Sequence, residues 1–286
     1  MKPDQTTGYY AGHDGLQLFY RDFEPGRPGT PVICLPGLTR NSRDFEKLAA
    51  HLAKRRRVVT PDLRGRGFSA WDPEWRNYHP GTYVNDVWAL LDFLAIGRVA
   101  VIGTSLGGLI AMLMAFQGRD RLAGVIMNDI GPEIAPEGLA RVMAYTGNLP
   151  PVNNWDEAIA QTREVYGQSL PDLDAAGWEE VARRGYRANA DGVPALDMDP
   201  NIGTAIREAG AVGGDPWLLF DALADTPTLV LHGALSDILS PDILARMHAR
   251  KPDLQSVEIP NRGHVPLLDE TESLSAIDSF IDSLPV

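Results

Sequence analysis

The chain has 286 residues, 44% of them apolar and 22% charged, with 28 glycines and 22 prolines. A chain of that length and composition buries a full core without disulfides or metals, and intrinsic disorder and collagen are excluded. The net charge of −12 leaves too little clustered Lys and Arg for a nucleic-acid partner and disfavours an anionic membrane surface.

In chain order, the start Met1-Lys2-Pro3-Asp4-Gln5-Thr6 carries no apolar leader stretch, so a cytoplasmic location is expected. Tyr9–Ala11 and Leu16–Asp22 flank the turn residues His13-Asp14-Gly15 and predict a hairpin. Val32–Leu35 is a short apolar strand, and the single cysteine, Cys34, lies in it as a small buried hydrophobe. Phe45, Leu48, Ala49 and Leu52 are spaced as on a helix, and the basic run Lys54–Arg57 follows where a helix C-terminus favours positive charge. Arg57–Thr60 is the next strand, and Asp62 to Pro80 a long loop.

Val84, Val87, Trp88, Leu91 and Leu94 mark a helix over Thr82–Ile96. Val99 to Phe116 has no charge and the length of a membrane span. Gly103, Gly107 and Gly108 interrupt it, so it reads as a buried strand, a tight turn and a buried helix. Leu122–Met127 is another strand. This alternation predicts a parallel sheet covered on both faces.

From 133 to 222 the alternation stops. The spacing predicts short amphipathic helices around Val142, Val165 and Val181 and no strand. Strands at Thr228–Leu231 and Ser256–Ile259 and helices at Pro241–Ala249 and Leu267–Leu284 then resume it. The expected organisation is one α/β core of residues 1–132 and 223–286, with a helical insertion at 133–222.

Gly103-Thr104-Ser105-Leu106-Gly107 is a G-x-S-x-G between a predicted strand and a predicted helix, the setting of a nucleophile elbow. The sharp turn lifts the Ser105 hydroxyl clear of the sheet and leaves the Leu106 N–H for an oxyanion. A serine needs a base. Of the six histidines, His264 alone lies in a loop after the last strand, where sites assemble in open α/β sheets. His13 falls in a turn, His51 and His248 in charged helices, His79 ahead of a helix, and His232 at a strand end with a structural role. For the acid, Asp237 follows the penultimate core strand and gives the order Ser105, Asp237, His264; Asp129, ending Leu122–Met127, is the alternative.

These motifs, with Leu35-Pro36-Gly37-Leu38 and Asp62-Leu63-Arg64-Gly65-Arg66-Gly67-Phe68-Ser69, resemble the α/β-hydrolase-fold family, in its group of small lidded serine hydrolases and esterases. The resemblance covers the chain from about residue 9 to the end. It implies an α/β-hydrolase fold, acyl transfer to Ser105 and hydrolysis by water activated through His264. It also implies a second oxyanion donor, the Leu38 N–H, although Pro36 replaces the family's frequent histidine. The Asp62–Ser69 loop is assigned no chemistry. An elbow serine disfavours dehalogenase and epoxide-hydrolase activity, which use aspartate there.

The expected substrate is a small-to-medium, partly hydrophobic carboxylic ester. Trp71, Met143, Tyr145 and Trp155 are the pocket candidates, with Tyr166 and Trp178 of the insertion and Trp75 of the loop before the Thr82 helix as further aromatics that could face the pocket. C–C bond hydrolases of the meta-cleavage type, lactonases, perhydrolases and a hydrolase-like small-ligand receptor remain alternatives on the same residues. Gly65-x-Gly67-x-x-Ala70 fits a dinucleotide fingerprint only on paper, because Trp71-Asp72-Pro73 follows where a helix is needed. No cofactor, metal, nucleic-acid or membrane partner is expected. The sequence leaves the oligomeric state open.

Overall fold

Val99–Thr104 is buried along its whole length, because Val99 and Val101 pack on one face of the sheet and Ala100 and Ile102 on the other. It is the middle of the fold in a computed structural model that describes residues 3–208 and 215–284. Met1 and Lys2 of the N-terminal reading, residues 209–214 of the expected insertion and residues 285–286 of the last core segment lie outside the described residues.

The chain opens with the hairpin β1 (Gln5–Ala11) and β2 (Gln17–Phe23), followed by β3 (Val32–Leu35) and α1 (Glu46–Leu52). Then come β4 (Val58–Pro61), α2 (Pro80–Phe93), β5 (Val99–Thr104), α3 (Leu106–Gly118) and β6 (Leu122–Asn128). The uncharged run that mimics a membrane span is therefore β5, a turn and most of α3. No helix among the described residues is long and apolar enough to cross a membrane.

After β6 come α4 (Pro136–Tyr145), α5 (Trp155–Tyr166), α6 (Ala175–Gly185), β7 (Tyr186–Ala188), β8 (Pro194–Leu196), α7 (Asn201–Glu208) and α8 (Trp217–Asp221). The antiparallel β7–β8 pair corrects the expectation of no strand in this stretch. Three residues are too few to show alternation. The Asn189 side chain closes the hairpin by accepting the Asp191 and Val193 N–H groups. The core resumes with β9 (Thr228–Gly233), α9 (Pro241–Arg250), β10 (Gln255–Ile259) and α10 (Thr271–Ser283).

The main sheet runs β1-β2-β4-β3-β5-β6-β9-β10, with β2 antiparallel to both β1 and β4 and every pair from β4 to β10 parallel. Side chains of α2, α3, α8 and α9 cover one face and those of α1 and α10 the other. The carboxyl ends of β3, β5, β6, β9 and β10 meet along one edge, where an open parallel sheet builds its site.

Candidate active site

Ser105 sits between β5 and α3 with φ 52° and ψ −112°. The turn is possible because the residues around it lack Cβ atoms. A Cβ on Gly103 would lie 2.3 Å from the Gly107 carbonyl oxygen, and one on Gly107 would lie 2.1 Å from the Leu35 carbonyl oxygen. The Leu106 N–H, at the first position of α3, has no intrahelical acceptor.

His264 Nε2 lies 2.8 Å from Ser105 Oγ. On the other side of the ring, Nδ1 lies 2.9 Å from Asp129 Oδ2. Asp129 is fully buried and, like Ser105, has a positive φ, 54°. The Gly233 N–H donates to its Oδ1 at 2.8 Å and the Ser236 hydroxyl to its Oδ2 at 2.6 Å. The histidine loop is fixed from two sides. Asn128 Nδ2 donates to the Pro266 carbonyl at 3.0 Å, and the Gly263 N–H to the Ser169 carbonyl at 2.7 Å.

Asp237, the acid favoured from the sequence, does not meet His264; its carboxylate is taken by Arg141 of α4, at 2.5 and 2.8 Å. Burial pushes the Asp237 carboxyl up, but the Arg141 guanidinium outweighs it and holds the group below its usual range. The end of β9 and the loop after it thus contribute donors, Gly233 and Ser236, rather than the carboxylate. The alternative, Asp129, is the aspartate that the sheet brings to the imidazole. Ser236 was not singled out from the sequence.

Above Ser105 opens a cleft. Leu38, Val142, Leu170, Val181 and Val265 give it apolar walls, and Arg40, Asp44, Arg184, Tyr145 and Tyr166 its polar groups. Of the four pocket candidates only Tyr145 lines it. Val142 and Tyr145 lie three apart on one face of α4, which turns Met143 away. Trp71 is exposed, and Trp155 lies under the Arg183 guanidinium. Trp178 packs in a small apolar cluster with Leu170 and Val181, and Trp75 against the main core, whereas Tyr166 does line the cleft. Burial and the neighbouring Tyr166 push the Tyr145 phenol up. Burial opposes the charge on Arg40, but Asp44, at 2.6 and 2.7 Å, overcomes this and raises the guanidinium pKa.

Gly37 and Leu38 follow β3 and lie beside the elbow. A Cβ on Gly37 would stand 3.8 Å from that of Ser105. The Leu38 N–H makes no hydrogen bond among the described residues.

The other histidines are engaged elsewhere. His51 bonds Asp278, His248 bonds Ser256, His79 caps α2 and buried His232 meets the Leu239 carbonyl. Cys34 is buried, and burial pushes its thiol up. His13, Asp14 and Asp86 stand close enough together to hold a cation, and the Arg64 guanidinium already bonds both aspartates there.

The family model described as the alpha/beta hydrolase fold matches residues 30–271. The chain is 33% identical over 270 residues to a 3-hydroxybutyrate-oligomer hydrolase of Cupriavidus necator, covering 90% of each chain. It is 27% identical to a 2-(acetamidomethylene)succinate hydrolase of Mesorhizobium japonicum, covering 89% of each. A crystal structure of an alpha/beta hydrolase from Novosphingobium aromaticivorans superposes with a TM-score of 0.92 at 42% identity over 99% of both chains. With a parallel sheet, a serine elbow and a family match over most of its length, the chain belongs to the alpha/beta-hydrolase fold family.

Proposed function

We propose that this chain is a serine ester hydrolase with Ser105 as nucleophile, His264 as general base and Asp129 as the acid that orients it. One observation carries the reading: Ser105 Oγ, both His264 ring nitrogens and Asp129 Oδ2 form a continuous hydrogen-bonded line beneath an open cleft. His264 Nε2 takes the Oγ proton as Oγ attacks the ester carbonyl carbon. The Leu38 and Leu106 N–H groups receive the oxyanion. On collapse the C–O bond breaks, Nε2 returns the proton to the leaving alkoxide, and an acyl-serine remains. Water, deprotonated by the same nitrogen, then attacks the acyl carbon; the C–Oγ bond breaks, Nε2 returns the proton to Ser105 Oγ, and the carboxylic acid leaves.

For the substrate we propose a short linear oligoester of a hydroxy acid. The relative at 33% identity is named for hydrolysing 3-hydroxybutyrate oligomers. The cleft suits such a molecule, with apolar walls for an alkyl backbone and Arg40 and Arg184 for a terminal carboxylate. In this reading residues 133–222 are a lid, since α4, α5 and α6 supply Val142, Tyr145, Tyr166 and Val181 to the cleft.

The test is hydrolysis of p-nitrophenyl esters of graded acyl length and of 3-hydroxybutyrate dimer and trimer, with Ser105→Ala alongside. Wild-type turnover, an acyl adduct on Ser105 and an inert variant are expected. Because a relative at 27% identity is named for 2-(acetamidomethylene)succinate, that compound joins the panel with a lactone and a meta-cleavage product. Turnover of one of these alone would overturn the ester reading. Saturable binding without turnover would point instead to a receptor.

A further inference from the structure

Arg66 is fully buried, yet among the described residues no carboxylate lies within ion-pair distance of it. Its partners are neutral. Nε donates to the Leu38 carbonyl at 2.9 Å, and Nη1 donates to the Arg64 carbonyl at 2.7 Å and the Tyr83 hydroxyl at 2.9 Å. The guanidinium lies 4.8 Å from the Tyr83 ring centre and 5.8 Å from that of Tyr78, and buried Nη2 has no partner. Burying a cation without a counter-charge is costly, and an apolar chain of similar volume would avoid that cost.

What the guanidinium holds is the residue proposed as an oxyanion donor. The Gly37–Leu38 peptide carries the Leu38 N–H, and its carbonyl accepts the Arg40 N–H at 3.1 Å. The next peptide, Leu38–Thr39, has its carbonyl clamped by Arg66. Peptide planes are rigid, so fixing both carbonyls fixes φ and ψ at Leu38 between them, and with them the direction of its N–H. We infer that Arg66 is a positioning residue for the reaction, clamping the Leu38 peptide so that its N–H is set for the oxyanion before substrate arrives. The Asp62–Ser69 loop, to which the sequence assigns no chemistry, thereby acts on the site from behind. The inference rests on the ester-hydrolase reading and on Leu38 as a donor.

Pre-setting a donor for charge that appears only in the transition state affects kcat and leaves substrate binding alone. Arg66→Met is expected to lower kcat about 10- to 100-fold with KM within about twofold. A boronic acid that mimics the tetrahedral intermediate should lose affinity in proportion to the loss in kcat/KM. Arg66→Lys keeps the charge but not the fork, and is expected to stay as slow as Arg66→Met. The gentler Tyr83→Phe removes one acceptor of the fork and keeps the ring; it should lower kcat a few-fold with the same unchanged KM, which covers the case of an Arg66 variant that does not fold.

An unchanged kcat in folded Arg66→Met or in Tyr83→Phe would overturn the inference. So would a loss that follows the folded fraction with boronate affinity unchanged, or full recovery in Arg66→Lys. No ester turnover by the wild type would instead remove the function on which the inference rests.

Discussion

Asp129 reaches His264 across 135 residues of chain because β9 lies between β6 and β10 and holds their carboxyl ends side by side. The same strand supplies Gly233, whose N–H fixes one carboxylate oxygen, and its loop supplies Ser236, which fixes the other. The imidazole thus meets a carboxylate that already has two donors and no freedom to turn away.

Asp129→Asn is therefore expected to lower kcat on p-nitrophenyl acetate about 10⁴-fold, the cost of misorienting the base. Asp237→Asn should stay within about tenfold of wild type, since it breaks a half-buried pair with Arg141 and leaves the base in place. Steady-state rates of the two variants decide it; a larger loss in Asp237→Asn would return the role to that residue.

The elbow was legible because steric demand is written directly in residue types: only glycine satisfies approaches of 2.1 and 2.3 Å at Gly107 and Gly103. The choice between two aspartates was not. Both follow neighbouring parallel strands, and the chain order Ser, Asp, His holds for either. What separates them is Arg141, which arrives from α4 and occupies Asp237. No spacing within the motif carries that information. Arg66 was hidden for a related reason: its role lies in reaching Leu38, 28 residues away in sequence. Similarly, Val142 and not Met143 lines the cleft because of a helix phase that the sequence alone sets only to within a residue.

Gly107→Ala should destabilise the fold by about 3 kcal/mol or more, because its Cβ would enter the Leu35 carbonyl and the backbone there cannot give. Gly37→Ala is the contrast. Its Cβ would meet Arg40, Ser105 and Thr104 at 3.7 to 3.8 Å, ordinary contact, so unfolding should move by less than about 1 kcal/mol. Urea midpoints of the two variants check both. Equal losses would mean that the elbow backbone relaxes, and the steric account of the motif would fail.

Arg40 is the cation of the cleft nearest in sequence to the proposed oxyanion loop, and Asp44 holds it in place. If the substrate ends in a carboxylate, Arg40→Gln should lower kcat/KM on 3-hydroxybutyrate trimer about 10- to 100-fold, the value of one hydrogen bond to a charged group. The methyl ester of the same trimer should lose less than about threefold. Equal losses on acid and ester would show that Arg40 shapes the cleft without reading charge.

Asp14 links the N-terminal hairpin to the buried Arg64, accepting at 2.9 and 3.1 Å. The Arg64 hydrogen bond brings its carboxyl from 3.8 down to about 2, against the upward push of burial. A carboxyl depressed in the folded state stabilises above its unfolded pKa, and that stabilisation is lost as pH falls through the folded one. The window is therefore from about pH 4 down to about pH 2. With 34% of the side chain exposed, solvent screening limits the contribution to less than about 1 kcal/mol. Asp14→Asn should accordingly be less stable than wild type at pH 6, with the gap narrowing below pH 4 as the wild-type carboxyl takes up its proton. Urea unfolding at pH 6, 5, 4 and 3 measures that gap. A gap that stays constant would place the effect in packing around the hairpin turn, because only a charge that titrates can make it close.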